Sequence, residues 1–435
     1  KAGEFDLYTW SKNNQPAVKP EDYMSRYVDF SEYLFLSTFQ DWNDISSWYS
    51  DLAASKSKPD FEVKELVSEL FKDQIGLTDR QKVEMIYEYI IKNIRYSSVS
   101  FRQSGLVPQK ASDVINTKIG DCKDVSTLFV SMCREAGVQD VGLVLINTRD
   151  NGRKDLTLPS INFNHCIARV NLEGQNHYLE LTSENNSFLT YGDNLINSYA
   201  LEIYDESENK DAKAFYFNPE NRNENSVYRT STAKVDGSNI DMEVVNVKTG
   251  NWASYMRYRY KDESKDEQRK VMLNALNSDY KNVKLDKLEF NDFDSLGNEF
   301  EYLYSFTINN AVSKIAGLNI FEIPWNDSYE TSEFASDEER KYPVELWRFF
   351  NYDTKSEKMV ITLPAGKRLA ERPRNVSIDN EFASYSIKYS YSGSTVTATR
   401  TMTPKIDVVQ PEDFAKLQKF IEQVIEHDTK SLAYR

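Results

Sequence analysis

The sequence predicts an α+β fold in which a core of helices and an antiparallel sheet is followed by a β-rich region. Apolar residues recur at helical spacing in three segments between residues 61 and 137. Three strand-like segments then follow, "VGLVLI", "HCIARV" and "HYLEL". Because the helices come first and the strands afterwards, we expect the helices to pack on an antiparallel sheet.

Three parts are predicted along the chain. Residues 1–60 form an N-terminal connector, which begins with the strand-like segment "FDLYTW", interpreted as the remnant of an upstream domain. Residues 61–215 form the core, and residues 216–435 form a β-rich C-terminal domain with a helical insertion. At this length each part except the connector can bury a hydrophobic core of its own.

Two amphipathic helices open the core. Each carries an apolar stripe, formed in the first by Val63, Leu66, Val67, Leu70 and Phe71, and in the second by Val83, Ile86, Tyr87, Ile90 and Ile91. Thr78 is the expected N-cap of the second helix. The stripes predict that both helices bury one face.

Short strands are predicted throughout the C-terminal part. The segments are "NIDMEVVNV", "YMRYRY", "EYLYSFTI" and "YSIKYSYSGSTVTATRTM", the last with a hairpin turn at Gly393. One helix, about residues 264–276, interrupts them, and another, residues 411–427, closes the chain. The tyrosine rows are expected to be packed sheet faces; a glycan- or peptide-binding groove is the alternative.

Charge and composition exclude some classes of function. The 435 residues include 53 basic and 68 acidic side chains, which give a net charge of −15. Such a surface repels phosphate backbones, so nucleic acid is not an expected partner. No apolar run approaches the roughly 18 residues that a transmembrane helix needs. With only 3 cysteines in the chain, a disulfide framework is not expected either.

Cys122 lies in the segment "TKIGDCKDVSTLF", at the predicted first turn of a helix. Asp121 is the expected cap, and Asp124 three residues later completes a capping-box pattern. Apolar residues follow at helical spacing, and Gly137 ends the helix. The free amides and the dipole at a helix start stabilise a thiolate and can hold an oxyanion, so Cys122 is a candidate nucleophile.

His165 and Glu180 are the candidate partners of this thiol. The chain has only 3 histidines, and His165 begins a strand-like segment. The next strand-like segment follows a two-residue turn at Glu173 and Gly174. This turn pairs Glu180 with Ile167 and makes Glu180 a diagonal neighbour of His165. A carboxylate there can hold the ring in the tautomer that accepts the thiol proton.

The ordered motifs "GDCKD", "FNHCIARV" and "HYLELTS" resemble those of the transglutaminase-like superfamily of cysteine enzymes. The layout also resembles a bacterial envelope family in which this core sits between β-rich domains. The segments "STFQDW", "KYPVEL" and "LPAGKRL" share that second resemblance. Both resemblances imply a papain-like core with a cysteine, a histidine and a carboxylate on a helix start and two adjoining strands.

The resemblance also implies roles for further residues. The family has aspartate where this chain has Glu180, and Glu184 and Asp193 are the weaker candidates for the third position. One oxyanion donor of the family is an upstream side chain, for which Gln103 is the candidate here. The Cys122 amide is the other oxyanion donor.

A zinc site of the three cysteines and His165 is the alternative chemistry. Cys133 lies eleven residues beyond Cys122 on the same predicted helix. That spacing puts the two thiols about 16 Å apart at roughly 1.5 Å per residue. Cys166 faces away from His165 because neighbouring strand residues point to opposite faces. Cys133 and Cys166 are therefore expected to be buried structural residues, and no metal or cofactor is expected.

The sequence thus favours a peptidase- or amidase-like enzyme that works by thiol-dependent acyl transfer or amide hydrolysis. Cys122 is the expected nucleophile, His165 the base, and Glu180 the carboxylate that positions the base. The expected substrate is a peptide, a protein or a cell-wall-derived compound. The family resemblance implies an exported protein of the periplasm or cell surface. The alternative is a catalytically silent envelope scaffold that binds peptide or glycan ligands through the same cleft.

Overall fold

The computed structural model describes residues 6–98, 105–152, 158–204, 210–329 and 339–435. Within these residues the helices are α1 (Tyr27–Phe30), α2 (Trp42–Ala54), α3 (Phe61–Leu70), α4 (Asp79–Asn93), α5 (Ala111–Thr117), α6 (Cys122–Glu135), α7 (Asn251–Tyr260), α8 (Lys265–Asp279), α9 (Leu346–Phe349) and α10 (Phe414–Asp428). None of these described helices is both long enough and apolar enough to cross a membrane.

The strands fall into two groups along the chain. The first group is β1 (Arg95–Tyr96), β2 (Ile119–Gly120), β3 (Val141–Asn147), β4 (His165–Leu172), β5 (Gln175–Leu179), β6 (Ser198–Glu202) and β7 (Ala214–Phe217). The second group is β8 (Ser226–Asp236), β9 (Asn239–Thr249), β10 (Val283–Phe290), β11 (Glu299–Ile308), β12 (Ser313–Ile315), β13 (Leu318–Glu322), β14 (Val344–Glu345), β15 (Thr354–Thr362), β16 (Val376–Asp379), β17 (Ala383–Ser392), β18 (Thr395–Pro404), β19 (Val408–Val409) and β20 (Ser431–Tyr434). The order of helices and strands confirms the predicted α+β class.

Helix α6 is the centre of the first hydrophobic core. The carboxylate of Asp121 accepts a hydrogen bond from the Asp124 amide, and the Asp124 carboxylate accepts one from the Asp121 amide. This reciprocal capping box confirms the predicted start of the helix. Residues 123–133 are all buried, because α6 is packed between α3, α4 and α5 on one side and β3 and β4 on the other.

The hairpin of β4 and β5 belongs to an antiparallel sheet with the order β5-β4-β3-β6-β7. Its turn residues Glu173 and Gly174 both have positive φ, 55° and 83°, the backbone that a tight two-residue hairpin requires. The ladder pairs Ala168 with Leu179. Glu180 follows β5 directly, so the register confirms the one predicted from the turn.

The C-terminal part is built on a larger sheet with the order β10-β11-β9-β8-β15-β18-β17-β16. The pairs are antiparallel except for β8 and β15, which run parallel. Helices α7, α8 and α10 contribute to the hydrophobic core of this sheet, which is separate from the core around α6. The predicted hairpin turn at Gly393 joins β17 and β18 and is confirmed.

The segment "YMRYRY" is helical, and its prediction as a strand is wrong. The alternation of tyrosine and arginine imitates a strand, but Ala253, Met256 and Tyr260 recur at helical spacing and are buried against the sheet. Gly250, with a φ of 57°, makes the sharp transition from β9 into α7. The insertion therefore contains two helices, α7 and α8, where a single helix was expected.

The prediction of a strand in "FDLYTW" is also wrong for the part that the structure describes. Residues 6–10 lie outside any strand, and Leu7, Tyr8 and Trp10 are exposed. No described strand pairs with this segment. A lone strand is unstable in water because its amides and carbonyls lack partners, so the apolar alternation alone was not enough.

Candidate active site

Cys122 is the first residue of α6. The amides of Asp124 and Val125 bond to Asp121, so among the first-turn donors those of Cys122 and Lys123 are left without an intrahelical acceptor. The thiol is partly exposed. The start of α6 therefore offers two amides and the positive end of the helix dipole beside an accessible sulfur.

The acidic residues on either side of Cys122 are held by other partners. The ammonium group of Lys123 forms an ion pair with Asp121. Gln109 donates to the Asp124 carboxylate from its backbone nitrogen at 2.7 Å and from its side-chain Nε2 at 2.6 Å. The two carboxylates thus anchor the loop before α5 and the start of α6, and their charges are partly neutralised by these contacts.

Replacing Asp124 by alanine is expected to lower the free energy of unfolding by about 1–3 kcal/mol. The reason is that the carboxylate is buried and satisfies donors of Gln109 and Asp121. Urea denaturation followed by circular dichroism measures the change. Asp113→Ala is a matched control, since Asp113 is an exposed acid in the first turn of α5. Equal losses for both variants would contradict an anchoring role of Asp124.

His165 and Glu180 form a hydrogen bond at the open end of the β4–β5 hairpin. The Nε2 atom of His165 lies 2.7 Å from Oε2 of Glu180. The other oxygen, Oε1, accepts from the amide of Thr182 at 2.8 Å and from its hydroxyl at 2.6 Å. The side chains of His165 and Glu180 are only 13% and 6% exposed. The carboxylate is therefore fixed by three donors in a largely dry environment.

The thiol of Cys122 is close enough to the His165 ring to contribute to its pKa. Because Nε2 faces Glu180, Nδ1 is the ring nitrogen left for the sulfur. Burial alone would lower the pKa of His165, but the Glu180 carboxylate and the Cys122 thiol raise it to about 10. Burial would raise the pKa of Glu180, yet His165 and Thr182 hold it below its usual range. These directions favour an imidazolium that faces a carboxylate.

Glu180→Gln is expected to lower the pKa of His165 from about 10 towards 6.5 or below. The substitution removes the attracting carboxylate while the ring stays buried. NMR titration of the imidazole signals measures the shift, and the His427 signals serve as an internal control. An unchanged His165 titration would show that Glu180 does not set the charge of the ring.

The raised pKa of His165 makes the stability of the folded protein depend on pH. The folded-state pKa of His165 lies above its unfolded value of roughly 6.5. The stability contributed by the imidazolium is therefore fully present below about pH 6.5 and is lost as the pH rises towards 10. In Glu180→Gln the loss of unfolding free energy with rising pH should shrink or disappear. Urea denaturation measured at several pH values between 6 and 10 detects this difference.

The weaker candidates for the third position are not at the histidine. Glu184 is exposed. The carboxylate of Asp193 accepts a hydrogen bond from the side chain of Asn225 at 2.7 Å and lines a different cavity. Of the three predicted carboxylates, Glu180 is the one whose oxygen bonds the ring of His165.

The other predicted residues lie apart from this centre or outside the described chain. Cys133 and Cys166 are buried, as expected, and burial raises the pKa of both thiols well above the usual range. In the part of the chain that the structure describes, no group of three or more His, Cys, Asp or Glu residues is arranged to hold a metal ion. Gln103 lies outside the described residues, so its role as an oxyanion donor stays a prediction.

A cavity of about 450 Å³ opens beside His165 and Glu180. One wall comes from the C-terminal part of the chain, through Asn251, Ser254, Tyr255 and Tyr258 of α7. Tyr255 and Tyr258 belong to a tyrosine row for which a binding groove was the alternative expectation, whereas Asn251 and Ser254 were not predicted. The helical spacing of the buried residues of α7 was the signal that could have found them.

Comparison with known proteins identifies the family of the region that contains Cys122 and His165. Residues 70–176 match the family model described as the transglutaminase-like superfamily. These residues belong to that superfamily. A second model, described as a domain of unknown function with a solved structure, matches residues 318–434.

The transglutaminase-like region is similar to two curated proteins, the kyphoscoliosis peptidases of Homo sapiens and Mus musculus. Each is 30% identical over 132 residues, which are 30% of this chain and 20% of the relative. The match therefore spans about a fifth of the length of these relatives.

One solved structure resembles this protein over most of the chain. The crystal structure of a candidate protease from Parabacteroides distasonis aligns with a TM-score of 0.54 at 12% identity. The alignment covers 91% of this chain and 59% of the other. At this level of identity the likeness shows a shared fold.

Proposed function

We propose that this protein is a thiol-dependent peptidase or amidase whose active site is formed by Cys122, His165 and Glu180. The observation that carries the proposal is the 2.7 Å hydrogen bond between His165 and Glu180. That bond occupies one ring nitrogen and leaves the other for the thiol. A nucleophile, a base and a carboxylate that orients the base are the parts that acyl transfer from an amide requires.

In the proposed reactive state the Cys122 proton resides on His165, so that a thiolate faces an imidazolium. The sulfur attacks the carbonyl carbon of the scissile amide, and the amides of Cys122 and Lys123 stabilise the oxyanion. His165 returns the proton to the nitrogen as the C–N bond breaks, and a thioester remains on Cys122. His165 then deprotonates a water molecule, which attacks the thioester, releases the carboxylate product and restores the thiol. Throughout, Glu180 keeps the ring in place and stabilises the imidazolium.

Peptide or protein amides are the proposed substrates, and hydrolysis is the proposed outcome. The similarity to curated proteins named peptidases supports this choice. A cell-wall-derived peptide belongs to the same chemical class, since its amide bonds undergo the same attack. Export to the periplasm or cell surface is proposed from the resemblance to the bacterial envelope family alone.

Alkylation with iodoacetamide tests the proposed nucleophile. At pH 6, Cys122 is expected to react at least about ten times faster than Cys133 and Cys166, because it is partly exposed and faces an imidazolium. Mass spectrometry of the adducts gives the three rates, and urea-denatured protein provides the reference in which all three thiols are accessible. Peptide hydrolysis should disappear in proportion to the labelling of Cys122.

Two outcomes would overturn the proposal. One is equal or absent labelling of the three thiols in the folded protein. The other is rapid labelling of Cys122 without hydrolysis of any peptide, ester or amide substrate in a broad screen. Either result would favour the catalytically silent scaffold that the sequence analysis left as the alternative.

A further inference from the structure

The cavity beside the proposed triad has an exposed aromatic wall. Tyr255 and Tyr258 lie three residues apart on α7, and they are 49% and 72% exposed. The ring of Trp252 contacts Tyr255 edge to face at a centroid distance of 5.8 Å. Exposed aromatic side chains clustered at the mouth of a cavity typically mark a contact surface for a ligand.

Apart from the bonded pair of His165 and Glu180, the cavity carries a negative charge. Besides the tyrosines, its lining is mostly hydroxyl and carboxamide groups, from Thr148, Asn164, Thr182, Ser183, Asn186, Asn194, Asn251 and Ser254. Its carboxylates are Asp150 and Glu180, and none of the described lining residues is lysine or arginine. Since Glu180 is bonded to His165 and Thr182, Asp150 is the carboxylate with room for a ligand.

Asp150 is held in place by contacts that leave acceptor capacity. Its Oδ1 accepts from Nδ2 of Asn194 at 3.3 Å. Arg26 donates to the backbone carbonyl of Asp150, at 2.7 Å. No described residue forms an ion pair with its carboxylate within 4.0 Å. A cation that enters the cavity therefore meets one carboxylate and two aromatic faces, which is the chemistry that binds an ammonium or guanidinium group.

Hydrogen bonds hold another part of the cavity wall, formed by Thr148 and Asn164, in place. The amide of Thr148 donates to Oδ1 of Asn164 at 2.9 Å, and Nδ2 of Asn164 donates to the Thr148 hydroxyl at 2.8 Å. Next to Thr148, Arg149 forms an ion pair with Asp407 of the C-terminal part at 2.8 Å. Fixed walls reduce the entropy that a ligand loses on binding, so the cavity is preorganised for a defined group.

We propose that this cavity binds a lysine or arginine side chain of the peptide substrate adjacent to the scissile amide, with the cation at Asp150 and the stem against Tyr255 and Tyr258. This inference rests on the proposed function, because the position next to His165 makes the cavity a subsite of the same reaction. The net charge of −15 adds long-range attraction for basic peptides.

Kinetics with matched peptides test the subsite. The peptides differ only in carrying lysine, norleucine or glutamate next to the scissile amide, on either side of it. We expect kcat/KM to be at least about tenfold higher for lysine than for glutamate in the wild type. Asp150→Asn should reduce this preference about fivefold or more, and Tyr258→Ala should weaken binding of the lysine peptide.

Control variants separate the subsite from general surface effects. Asp236→Asn and Tyr228→Ala change the same residue types at exposed positions of β8. Both controls should keep the wild-type preference. An undiminished lysine preference in Asp150→Asn, or an equal loss in Asp236→Asn, would overturn the proposal.

Binding measured without turnover distinguishes this inference from the proposed function. Fluorescence polarisation with the Cys122→Ala variant should show about tenfold tighter binding of the lysine peptide than of the glutamate peptide. If that preference appears but the wild type cleaves nothing, the proposed function fails and the subsite stands. If the wild type cleaves all peptides equally, the subsite fails and the proposed function stands. Binding of glycan fragments in preference to every peptide would also overturn the subsite.

Discussion

His165→Gln is expected to lower kcat/KM for peptide hydrolysis by about a thousandfold or more. Glutamine can still donate a hydrogen bond to Glu180, so the buried carboxylate keeps a partner. It cannot take the proton from Cys122 or return one to the leaving nitrogen, so both proton transfers are lost. Steady-state kinetics with a fluorogenic peptide measure the loss, and circular dichroism checks that the variant is folded.

The control for this variant is His427→Gln. His427 is a partly buried residue in the last turn of α10, a helix of the C-terminal part, and takes no part in the proposed chemistry. Its replacement should leave kcat/KM within about twofold of the wild type. A loss of less than about tenfold in His165→Gln would mean that another group serves as the base, because a general base is worth about a hundredfold at least.

Arg400→Met is expected to lower the free energy of unfolding by about 3–5 kcal/mol. Arg400 is buried and forms ion pairs with Asp428 and Glu357. It also donates to the carbonyl of Asn326 at 2.7 Å and stacks on Trp325 at 4.8 Å. Methionine matches much of its volume but leaves two buried carboxylates without a cation. Guanidinium denaturation followed by tryptophan fluorescence measures the change, since Trp325 lies against the substituted side chain.

Lys405→Met tests whether burial is the cause of that loss. The side chains of Lys405 and its partner Asp379 are 36% and 68% exposed. A pair that is so well solvated contributes about 0–1 kcal/mol, and its loss should hardly move the denaturation midpoint. If the two variants lose similar stability, the network around Arg400 is not the anchor of the C-terminal sheet.

The positions of Cys122 and of the pair His165 and Glu180 could be predicted from the sequence because they depend on local signals. The capping box of Asp121 and Asp124 fixes where α6 begins, and with it the position of Cys122. The two-residue turn before β5 fixes the register that brings Glu180 towards His165. Both signals act over a few residues, so they can be interpreted without knowledge of the tertiary fold.

The wall of the cavity that α7 forms could not be predicted in the same way. Tyr255 and Tyr258 lie about ninety residues after His165, and no local pattern indicates that α7 lines the same cavity as His165 and Glu180. The alternation in "YMRYRY" also favoured the wrong element, because strand and helix periods are hard to distinguish over six residues. Packing of Ala253 and Met256 on the C-terminal sheet decides the matter, and that contact is formed only in the folded chain.

The position of α7 has a consequence for how proteins of this architecture diverge. The helix belongs to the C-terminal part and supplies no atom to bond breaking or bond making in the proposed reaction. Substitutions on the side of α7 that lines the cavity can therefore change the substrate preference while leaving the proposed reacting residues unchanged. We expect related proteins with this layout to differ most in the cavity-lining residues of α7, because new substrates can be accommodated there without change to the reaction.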